Sequence, residues 1–315
     1  MTAQLIDGVK ISEIIKQQTK TELETLVTKT GRKPLLCAVQ IGENASSKVY
    51  VKNQKTACEE IGIEYRLIEL PEDTTEEKAI STLNELNNDK SVTGIILQMP
   101  VPAQINVKKA QITIAPEKDV EGITPPNLGK LLFAGMNPIV APCTALSVIE
   151  CIKSTGIGLK GKETVIVGHS EIVGKPVTLM LISSLNESAT PTVCHIATKN
   201  LKEHTLRADI VIVAVGKPGL VNADMIKEGA IVIDVGINRI QQKDSSGNPI
   251  IDEKTGKPKM KTIGDADFES ISKKASFITP VPGGVGAVTT VLLTKNLLHL
   301  FKIQSGEPVS AYKLI

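Results

Sequence analysis

The segment SSKVYVKNQKTACEEIG, residues 46–62, places a phenol and a carboxamide, Tyr50 and Gln54, four positions apart. The spacing of apolar residues predicts a helix here, so both side chains share one face. Such a pair could orient a flat substrate, with the phenol stacking on it or donating a proton to it. The alternative is that Tyr50 only packs at the edge of a domain.

Two further groups of polar residues lie where strands are predicted to end or loops to begin. Gln98 ends an apolar run just before Pro100, and the carboxyl ends of strands in open α/β sheets face the ligand crevice. A polar strand end with its hydrogen bonds satisfied is the alternative for Gln98. Asp119 and Glu121 alternate in EKDVEG, which indicates either a solvated turn or a carboxylate for an amino-bearing heterocycle.

The segment TVIVGHSEIVGKP, residues 164–176, predicts a strand, a glycine turn and a helix, the local structure that dinucleotide binding requires. The regular glycine fingerprint is incomplete, because Ser170 stands where a second glycine is usual and Gly174 falls one position late. An ordinary turn between strand and helix is therefore an equal alternative. No acidic residue ends the next predicted strand, where His195 and Ile196 stand, so the spacing leaves the choice of cofactor open.

Composition excludes several other classes of function. Lys+Arg 36 against Asp+Glu 34 gives a net charge of +2, and with four Phe, three Tyr and no Trp the chain offers few stacking platforms for nucleic acid. The four histidines lack the spacing of metal ligands, and the five cysteines form no CxxC pair. No apolar stretch is long enough to span a membrane, and no signal peptide is evident. We expect a cytoplasmic protein without bound metal, nucleic acid or membrane.

The elements that must position these residues alternate between strand and helix. Short β-branched runs and helical patterns follow one another in both halves of the chain, which is typical of an α/β fold with parallel sheets. Residues 239–263 form a polar insertion with the turn signals SSGN and KTGK. The glycine-rich loop ITPVPGGVG precedes a last apolar helix, and so many glycines suit a close approach of the backbone to a ligand.

Taken in order, the motifs YVKNQKTACEEIGI, GIILQMPVP, APEKDVEG, VIVGHSEIVGKP, DIVIVAVGKPG, IVIDVGIN, GDAD and ITPVPGGVG resemble the bifunctional methylenetetrahydrofolate dehydrogenase/cyclohydrolase family. The resemblance implies two α/β domains with a cleft between them, usually in a homodimer. A folate-site domain would comprise residues 1–143 and 287–315, and a Rossmann-like NAD(P)-binding domain residues 144–286. The family oxidises 5,10-methylenetetrahydrofolate by hydride transfer to a nicotinamide, and then hydrolyses the methenyl product to 10-formyltetrahydrofolate.

The match to the family's catalytic residues is incomplete. Tyr50 and Gln98 match its pocket tyrosine and glutamine, but Gln54 stands at the position of its catalytic lysine and Glu121 at that of its pterin-binding aspartate. Lysines 52 and 55 point about 200° and 100° away from the face of Gln54. Because an amide cannot exchange protons near neutrality, we predict a dehydrogenase with weak or absent cyclohydrolase activity.

The resemblance also assigns ligand-binding residues. NADP-using members of the family carry an arginine and a serine where this chain has His169 and Ile196, and both changes weaken the grip on a 2′-phosphate. NAD is therefore favoured over NADP. The predicted cofactor contacts are Gly168, His169, Ser170, Ile196 and Ile237, and Pro282, Gly283 and Gly284 are predicted to join Tyr50, Gln98 and Glu121 at the folate.

Two other functions remain open from the sequence. A folate-binding paralogue that has lost turnover would explain why two central positions have changed. A dehydrogenase of a small amino or hydroxy acid could use a similar frame of two domains, although the folate-type motifs in the first domain count against it.

Overall fold

The computed structural model describes residues 2–42, 45–133, 138–242, 244, 247–253 and 256–315, with backbone alone for residues 45–49. Its strands are β1 (Gln4–Leu5), β2 (Leu35–Ile41), β3 (Glu64–Leu70), β4 (Gly94–Leu97), β5 (Glu163–Val167), β6 (Thr190–Cys194), β7 (Ile210–Val213), β8 (Ile231–Asp234), β9 (Asn238–Gln241), β10 (Met260–Ile263) and β11 (Phe277–Ile278). Its α-helices are α1 (Gly8–Thr30), α2 (Ala45–Ile61), α3 (Glu76–Asn88), α4 (Val107–Thr113), α5 (Pro125–Gly129), α6 (Cys143–Ser154), α7 (Gly174–Leu181), α8 (Leu201–Leu206), α9 (Phe268–Ile271) and α10 (Val285–Gln304).

The chain divides into two compact units, each built around its own parallel sheet. The three-stranded unit comprises residues 12–146 and 289–314, and the six-stranded unit comprises the chain up to Ile11, residues 147–288 and Ile315. The mixed α/β class with parallel sheets predicted from the alternating pattern is confirmed.

The sheet of the three-stranded unit has the order β3-β2-β4, with all strands parallel. Every residue of β2 is buried, which explains why its sequence is a continuous apolar run rather than an alternating one. Helix α10 approaches β4 at Gly94, where an added Cβ would lie 2.5 Å from Cδ1 of Leu297. A glycine at this position is what allows the helix to pack so closely against the strand.

The sheet of the six-stranded unit has the order β1-β11-β8-β7-β5-β6, again entirely parallel. Strand β5 has the next strand along the chain, β6, on one side and β7 on the other. The direction of winding therefore reverses at β5. In doubly wound sheets the carboxyl ends of the strands beside such a reversal form the crevice that takes the ligand.

The first residues of the chain belong to the six-stranded sheet. Strand β1 pairs in parallel with β11, and the backbone N–H of Ile6 donates to the carbonyl of Ile278 at 2.9 Å. The first residues therefore complete the six-stranded sheet, and the chain enters the three-stranded unit within α1. Two residues of strand give too short a pattern to be read from the sequence.

The polar insertion of residues 239–263 contains the antiparallel pair β9 and β10. Of its predicted turns, the residues numbered 245, 246, 254 and 255 lie outside the described part of the chain. Where the structure is described, no helix combines the length and the apolar character that crossing a bilayer demands.

Candidate functional site

In the three-stranded unit, the face of α2 that carries Gln54 is turned into the protein. Gln54 is completely buried, whereas Lys52 and Lys55 are exposed, as their angular offset on the helix predicts. Tyr50 keeps 39% of its surface accessible. Even so, burial raises the pKa of its phenol, and the nearby carboxyl of Glu121 raises it further. Tyr50 is therefore a neutral hydroxyl at physiological pH.

The two predicted glutamines meet. The backbone N–H of Gln98 follows β4 and donates to the carbonyl of Val39 at 2.8 Å, which fixes the residue at the carboxyl end of the sheet. Its side-chain Nε2 donates to Oε1 of Gln54 at 2.7 Å. The same Oε1 accepts a longer bond of 3.3 Å from the hydroxyl of Tyr65 on β3. Nε2 of Gln54 is buried and has no hydrogen-bond partner among the residues that the structure describes.

Tyr65 is a member of this group that the sequence did not single out. It lies on β3, which alternates between half-buried and exposed positions. The sequence pattern of residues 64–70 predicts a strand, but it does not indicate which of the inward side chains faces α2. The contact joins residues on a helix and on the following strand, so it depends on how the two elements pack.

Lys118, a buried lysine of this unit, serves another purpose. Nζ of Lys118 donates to the backbone carbonyls of Leu86 and Asp89, at 2.8 and 2.6 Å. These carbonyls lie at the carboxyl end of α3, where a cation compensates unpaired oxygens and the helix dipole. Burial lowers the pKa of Lys118. This ammonium is therefore used to close a helix and not to face Gln54.

In the acidic loop after α4, Asp119 and Glu121 lie in different environments. Asp119 is almost fully buried and accepts four hydrogen bonds of 2.7 to 2.9 Å, from the backbone N–H groups of Gly122 and Thr124, the hydroxyl of Thr124 and the amide of Asn127. Because both oxygens of this carboxylate accept hydrogen bonds from neighbouring residues, Asp119 stabilises the conformation of the loop. For Asp119, the alternative of a solvated turn is wrong.

The carboxyl of Glu121 has a strongly raised pKa. Although the residue as a whole is only partly buried, desolvation of its carboxyl raises its pKa to about 8, and the charge of Asp119 contributes to the same shift. Strongly shifted carboxyls of this kind gather at functional sites. Asn296 of α10 fixes the segment by donating to the carbonyls of Val120 and Ala141, each at 2.9 Å.

In the six-stranded unit, a tight glycine turn follows β5. Gly168 has φ +121°, and a Cβ there would lie 2.2 Å from the carbonyl oxygen of Ala214. A Cβ on Gly174 would lie 2.0 Å from the carbonyl oxygen of Gly168. Both positions therefore require glycine. Ser170 is exposed, and its Oγ accepts from the N–H of Val173 at 3.1 Å, which orders the turn before α7 begins.

Two histidines lie side by side beyond β5 and β6. The rings of His169 and His195 are stacked with centroids 4.9 Å apart and planes inclined by 24°. Nδ1 of His195 accepts from the N–H of Ala197 at 3.2 Å, which leaves the hydrogen of the neutral ring on Nε2. The next residue, Ile196, is fully exposed. This part of the edge therefore presents two stacked imidazoles and an exposed apolar side chain.

Two buried aspartates connect the loops at this edge of the sheet. Asp234 accepts from the N–H groups of Gly236, Asp265 and Ala266, each at 2.9 Å. Asp265 in turn accepts from the N–H groups of Val215 and Gly216, at 2.7 and 2.8 Å. Burial raises the pKa of Asp234 to about 6. The loop after β7 is therefore held in place by a carboxylate that lies fifty residues further along the chain.

The remaining predicted contacts lie at the same carboxyl edge. Ile237 follows β8 and is 66% exposed. Pro282, Gly283 and Gly284 follow β11; the bond before Pro282 is cis, and Gly283 has φ +98°. A Cβ on Gly8 would lie 2.1 Å from the carbonyl oxygen of Gly284, so the start of α1 packs directly against this loop.

The structure thus brings the predicted residues together in two groups. Tyr50, Gln54, Gln98 and Glu121 gather in the three-stranded unit, and the turns of residues 168–170, 195–196, 235–237 and 279–284 line one edge of the six-stranded sheet. Among the described residues, no cluster of three or more His, Cys, Asp or Glu could hold a metal ion.

A doubly wound sheet with a glycine turn at its point of reversal, together with a second α/β unit that contains a buried polar cluster, is typical of a two-domain nucleotide-binding protein. Two family descriptions match the chain: the catalytic domain of tetrahydrofolate dehydrogenase/cyclohydrolase over residues 6–121, and the NAD(P)-binding domain of the same enzymes over residues 142–305. The chain belongs to the tetrahydrofolate dehydrogenase/cyclohydrolase family, as its motifs predict.

Individual relatives cover nearly the whole chain. The bifunctional protein FolD of Chlorobium phaeobacteroides is 42% identical over 298 residues, which are 94% of this chain and 96% of the relative. The crystal structure of FolD from Campylobacter jejuni is 40% identical with a TM-score of 0.84, covering 96% of this chain and 99% of the other. The Trypanosoma brucei enzyme, solved with NADP and an inhibitor, is 34% identical with a TM-score of 0.87 and coverages of 96% and 98%.

Proposed function

We propose that this protein oxidises 5,10-methylenetetrahydrofolate to 5,10-methenyltetrahydrofolate by transferring a hydride to a nicotinamide cofactor. Family membership in both domains and relatives more than 40% identical over almost the entire chain support the reaction. One observation supports a dehydrogenase with little or no cyclohydrolase activity: the buried carboxamides of Gln54 and Gln98 are joined by a hydrogen bond of 2.7 Å.

The residues of the three-stranded unit orient the folate in this proposal. Tyr50 and Gln98 position the reacting part of the molecule, and Gln54 is an orienting amide. Glu121 holds the amino group of the pterin, a role supported by the desolvation of its carboxyl, which raises its pKa to about 8. Pro282, Gly283 and Gly284 contribute backbone contacts to the substrate, supported by the positive φ of Gly283.

Loss of a hydride leaves a cation delocalised over the reacting ring, and the protein's main contribution is to hold the two reactants in line. An uncharged pocket is sufficient for that step. Hydrolysis of the cation is more demanding, because protons must move to and from water and a ring nitrogen. Gln54 has no titrating group near neutrality, so we propose that cyclohydrolase activity is weak or absent.

For the cofactor, we propose that Gly168, His169, Ser170, Ile196 and Ile237 line a nicotinamide dinucleotide site. These residues fit such a ligand, because they follow β5, β6 and β8 at one edge of the sheet, and the side chains of His169, Ser170, Ile196 and Ile237 are exposed beside the buried, obligatory glycine at position 168. A bound nicotinamide would accept the hydride. We propose NAD rather than NADP, since the stacked imidazoles and the apolar Ile196 offer no guanidinium for a 2′-phosphate.

We also propose, on the resemblance of the motifs, that the protein acts as a homodimer. Light scattering after size-exclusion chromatography measures this directly, and a mass of one chain would contradict the proposal. The assignment of folate binding to residues 1–143 with 287–315 and of cofactor binding to 144–286 is likewise a proposal.

One spectrophotometric experiment tests the reaction. The purified protein is given 5,10-methylenetetrahydrofolate with NAD or with NADP, and the formation and decay of the methenyl product are followed. We expect the methenyl product to form at a lower concentration of NAD than of NADP. Once formed, the methenyl product should decay slowly. Binding of folate without reduction of either cofactor would instead indicate a paralogue without turnover, and failure to bind any folate would favour a dehydrogenase of another small substrate.

A further inference from the structure

Among the described residues, the two ends of the Gln54 carboxamide differ in their hydrogen bonds, and the side chain also interacts with the phenol of Tyr50, whose pKa it lowers against the larger effect of burial. Oε1 of Gln54 accepts two hydrogen bonds, from Gln98 and Tyr65, whereas its Nε2 is buried without a partner among the described residues. An unsatisfied buried donor costs about 1–3 kcal/mol, and such groups are rare in native structures unless something other than the protein pairs with them. The open end of this amide is therefore a place where a ligand acceptor would be stabilised.

Tyr65 gives the carboxamide its second fixed point. The last torsion of a glutamine side chain is broad, so one hydrogen bond from Gln98 leaves the amide plane free to swing. A second donor to the same oxygen restricts that rotation. Burial raises the pKa of the Tyr65 phenol, and the nearby Cys58 and Tyr50 raise it further, so the group remains a hydroxyl at neutral pH. The hydroxyl of Tyr65 can therefore donate its hydrogen bond to Oε1 of Gln54 at neutral pH.

We propose that Tyr65 is a positioning residue that, together with Gln98, holds the Gln54 carboxamide so that Nε2 donates to an acceptor atom of the bound reduced folate. The inference rests on the proposed function, because the ligand is a folate. A reduced folate offers such acceptors in its ring nitrogens and in the carbonyl of its benzoyl group. The donor orients the ligand without exchanging a proton with it.

The role of Tyr65 depends on the residue at position 54. The phenol donates to an amide oxygen, and a side chain without that oxygen gives it nothing to hold. Tyr65 and Gln54 should therefore act as a coupled pair, and removal of either partner should make the other unimportant. A tyrosine that only fills space between α2 and β3 would show no such coupling.

Binding of a stable reduced folate, 5-formyltetrahydrofolate, tests the proposal by calorimetry on the full chain. The proteins compared are the unaltered chain, Tyr65→Phe, Gln54→Met and the double variant. We expect Tyr65→Phe to weaken binding by about 3- to 10-fold, the size of one neutral hydrogen bond. In the Gln54→Met background the same change should alter the dissociation constant less than about twofold. In the dehydrogenase assay, Tyr65→Phe should raise the KM for folate and leave the KM for the nicotinamide unchanged.

Tyr312 provides the matched control, since its hydroxyl also donates to an amide, Oδ1 of Asn296, at 2.9 Å in the same unit. Tyr312→Phe should combine with Gln54→Met independently, whatever its own effect, and thermal unfolding checks that each variant folds. An equal effect of Tyr65→Phe in both backgrounds, no effect in the unaltered chain, or no folate binding at all would overturn the proposal. Normal binding and coupling with no oxidation by either nicotinamide would support the role of Tyr65 and contradict only the proposed reaction.

Discussion

Nε2 of Gln98 donates a 2.7 Å hydrogen bond to Oε1 of Gln54, and both side chains are almost completely buried. One glutamine comes from the end of β4 and the other from the middle of α2, so the bond joins the sheet to the helix. Neither carboxamide can gain or lose a proton near neutral pH. In the proposed folate site, this pair would orient the substrate and would not supply acid–base catalysis.

Replacement of Gln54 by lysine should restore hydrolysis of the methenyl product. The new amine would provide a titrating group where the family has one, and general acid–base catalysis contributes about 10²- to 10⁴-fold. We expect Gln54→Lys to accelerate the decay of methenyltetrahydrofolate at least tenfold, measured by its absorbance.

Gln54→Met is the control for this change, because it removes the amide without adding an amine. It should leave the decay of methenyltetrahydrofolate slow. Rapid hydrolysis by the unaltered protein that disappears in Gln54→Ala would contradict the prediction and show that the amide itself supports the reaction.

Glu121 should make folate binding depend on pH around 8. Its pKa is raised to about 8 by burial and by Asp119, so the carboxylate that would hold the pterin amino group forms only as the pH rises through that value. We expect the KM for folate to fall between pH 7 and 9 and to be flat over this range in Glu121→Gln. Equal pH profiles for the two proteins would exclude Glu121 from the folate site.

Ionisation of Glu121 should strengthen folate binding as the pH rises, but it should lower the stability of the folded protein. Because the folded pKa exceeds the unfolded one, the folded state holds its proton more tightly between pH 4.5 and 8, and stability is lost as the pH rises through this window. Glu121→Gln removes that loss. Its free energy of unfolding, relative to the unaltered protein, should increase on the order of 2 kcal/mol between pH 5 and 8, after allowing for the part of the side chain that water reaches.

Patterns within one element were sufficient to predict much of the fold and the site. The short apolar run Leu35–Ile41, which ends at Gly42, predicts a strand with the bounds that β2 has. Helical periodicity predicts the face of α2 well enough to separate the buried Gln54 from the exposed Lys52.

Contacts that join distant elements could not be predicted in this way. The donation from Tyr65 to Gln54 depends on how α2 packs on β3, and the bonds from the loop after β7 to Asp265 span fifty residues. Asp119 has the composition of a solvated turn, yet four donors from its own loop make it a buried anchor. A short two-residue strand, β1, has too little pattern to predict its partner β11.

The proposed preference for NAD should be reversible by changes at two positions. Arginine in place of His169 would supply a bidentate partner for a 2′-phosphate, and serine in place of Ile196 would supply a hydroxyl donor. Both native residues are exposed, so the fold should tolerate the changes. We expect His169→Arg with Ile196→Ser to lower the KM for NADP relative to that for NAD by about 10- to 100-fold, a gain of one or two charge-assisted hydrogen bonds. A strong preference for NADP in the unaltered protein would refute the starting assumption.

Asp265 should be required for cofactor binding without touching the reacting atoms. Its Oδ2 accepts the N–H groups of Val215 and Gly216, and its Oδ1 accepts from the amide of Asn238 at 2.8 Å. Each carboxylate oxygen of Asp265 therefore accepts at least one hydrogen bond from an N–H group. In Asp265→Asn one oxygen becomes an NH₂ group that faces a donor, whichever way the amide turns.

We expect Asp265→Asn to raise the KM for the nicotinamide by about 10- to 100-fold, as the loss of hydrogen bonds to a charged group implies, and to leave the KM for folate nearly unchanged. Asp209→Asn is the matched control, because Asp209 pairs with Lys227 and accepts the N–H of Glu163 at the opposite, amino end of the sheet. That variant should lower the melting temperature without changing the KM for the cofactor. If both variants weakened cofactor binding equally at matched stability, the effect would be general loosening of the sheet, and Asp265 would have no particular part in positioning the loop after β7.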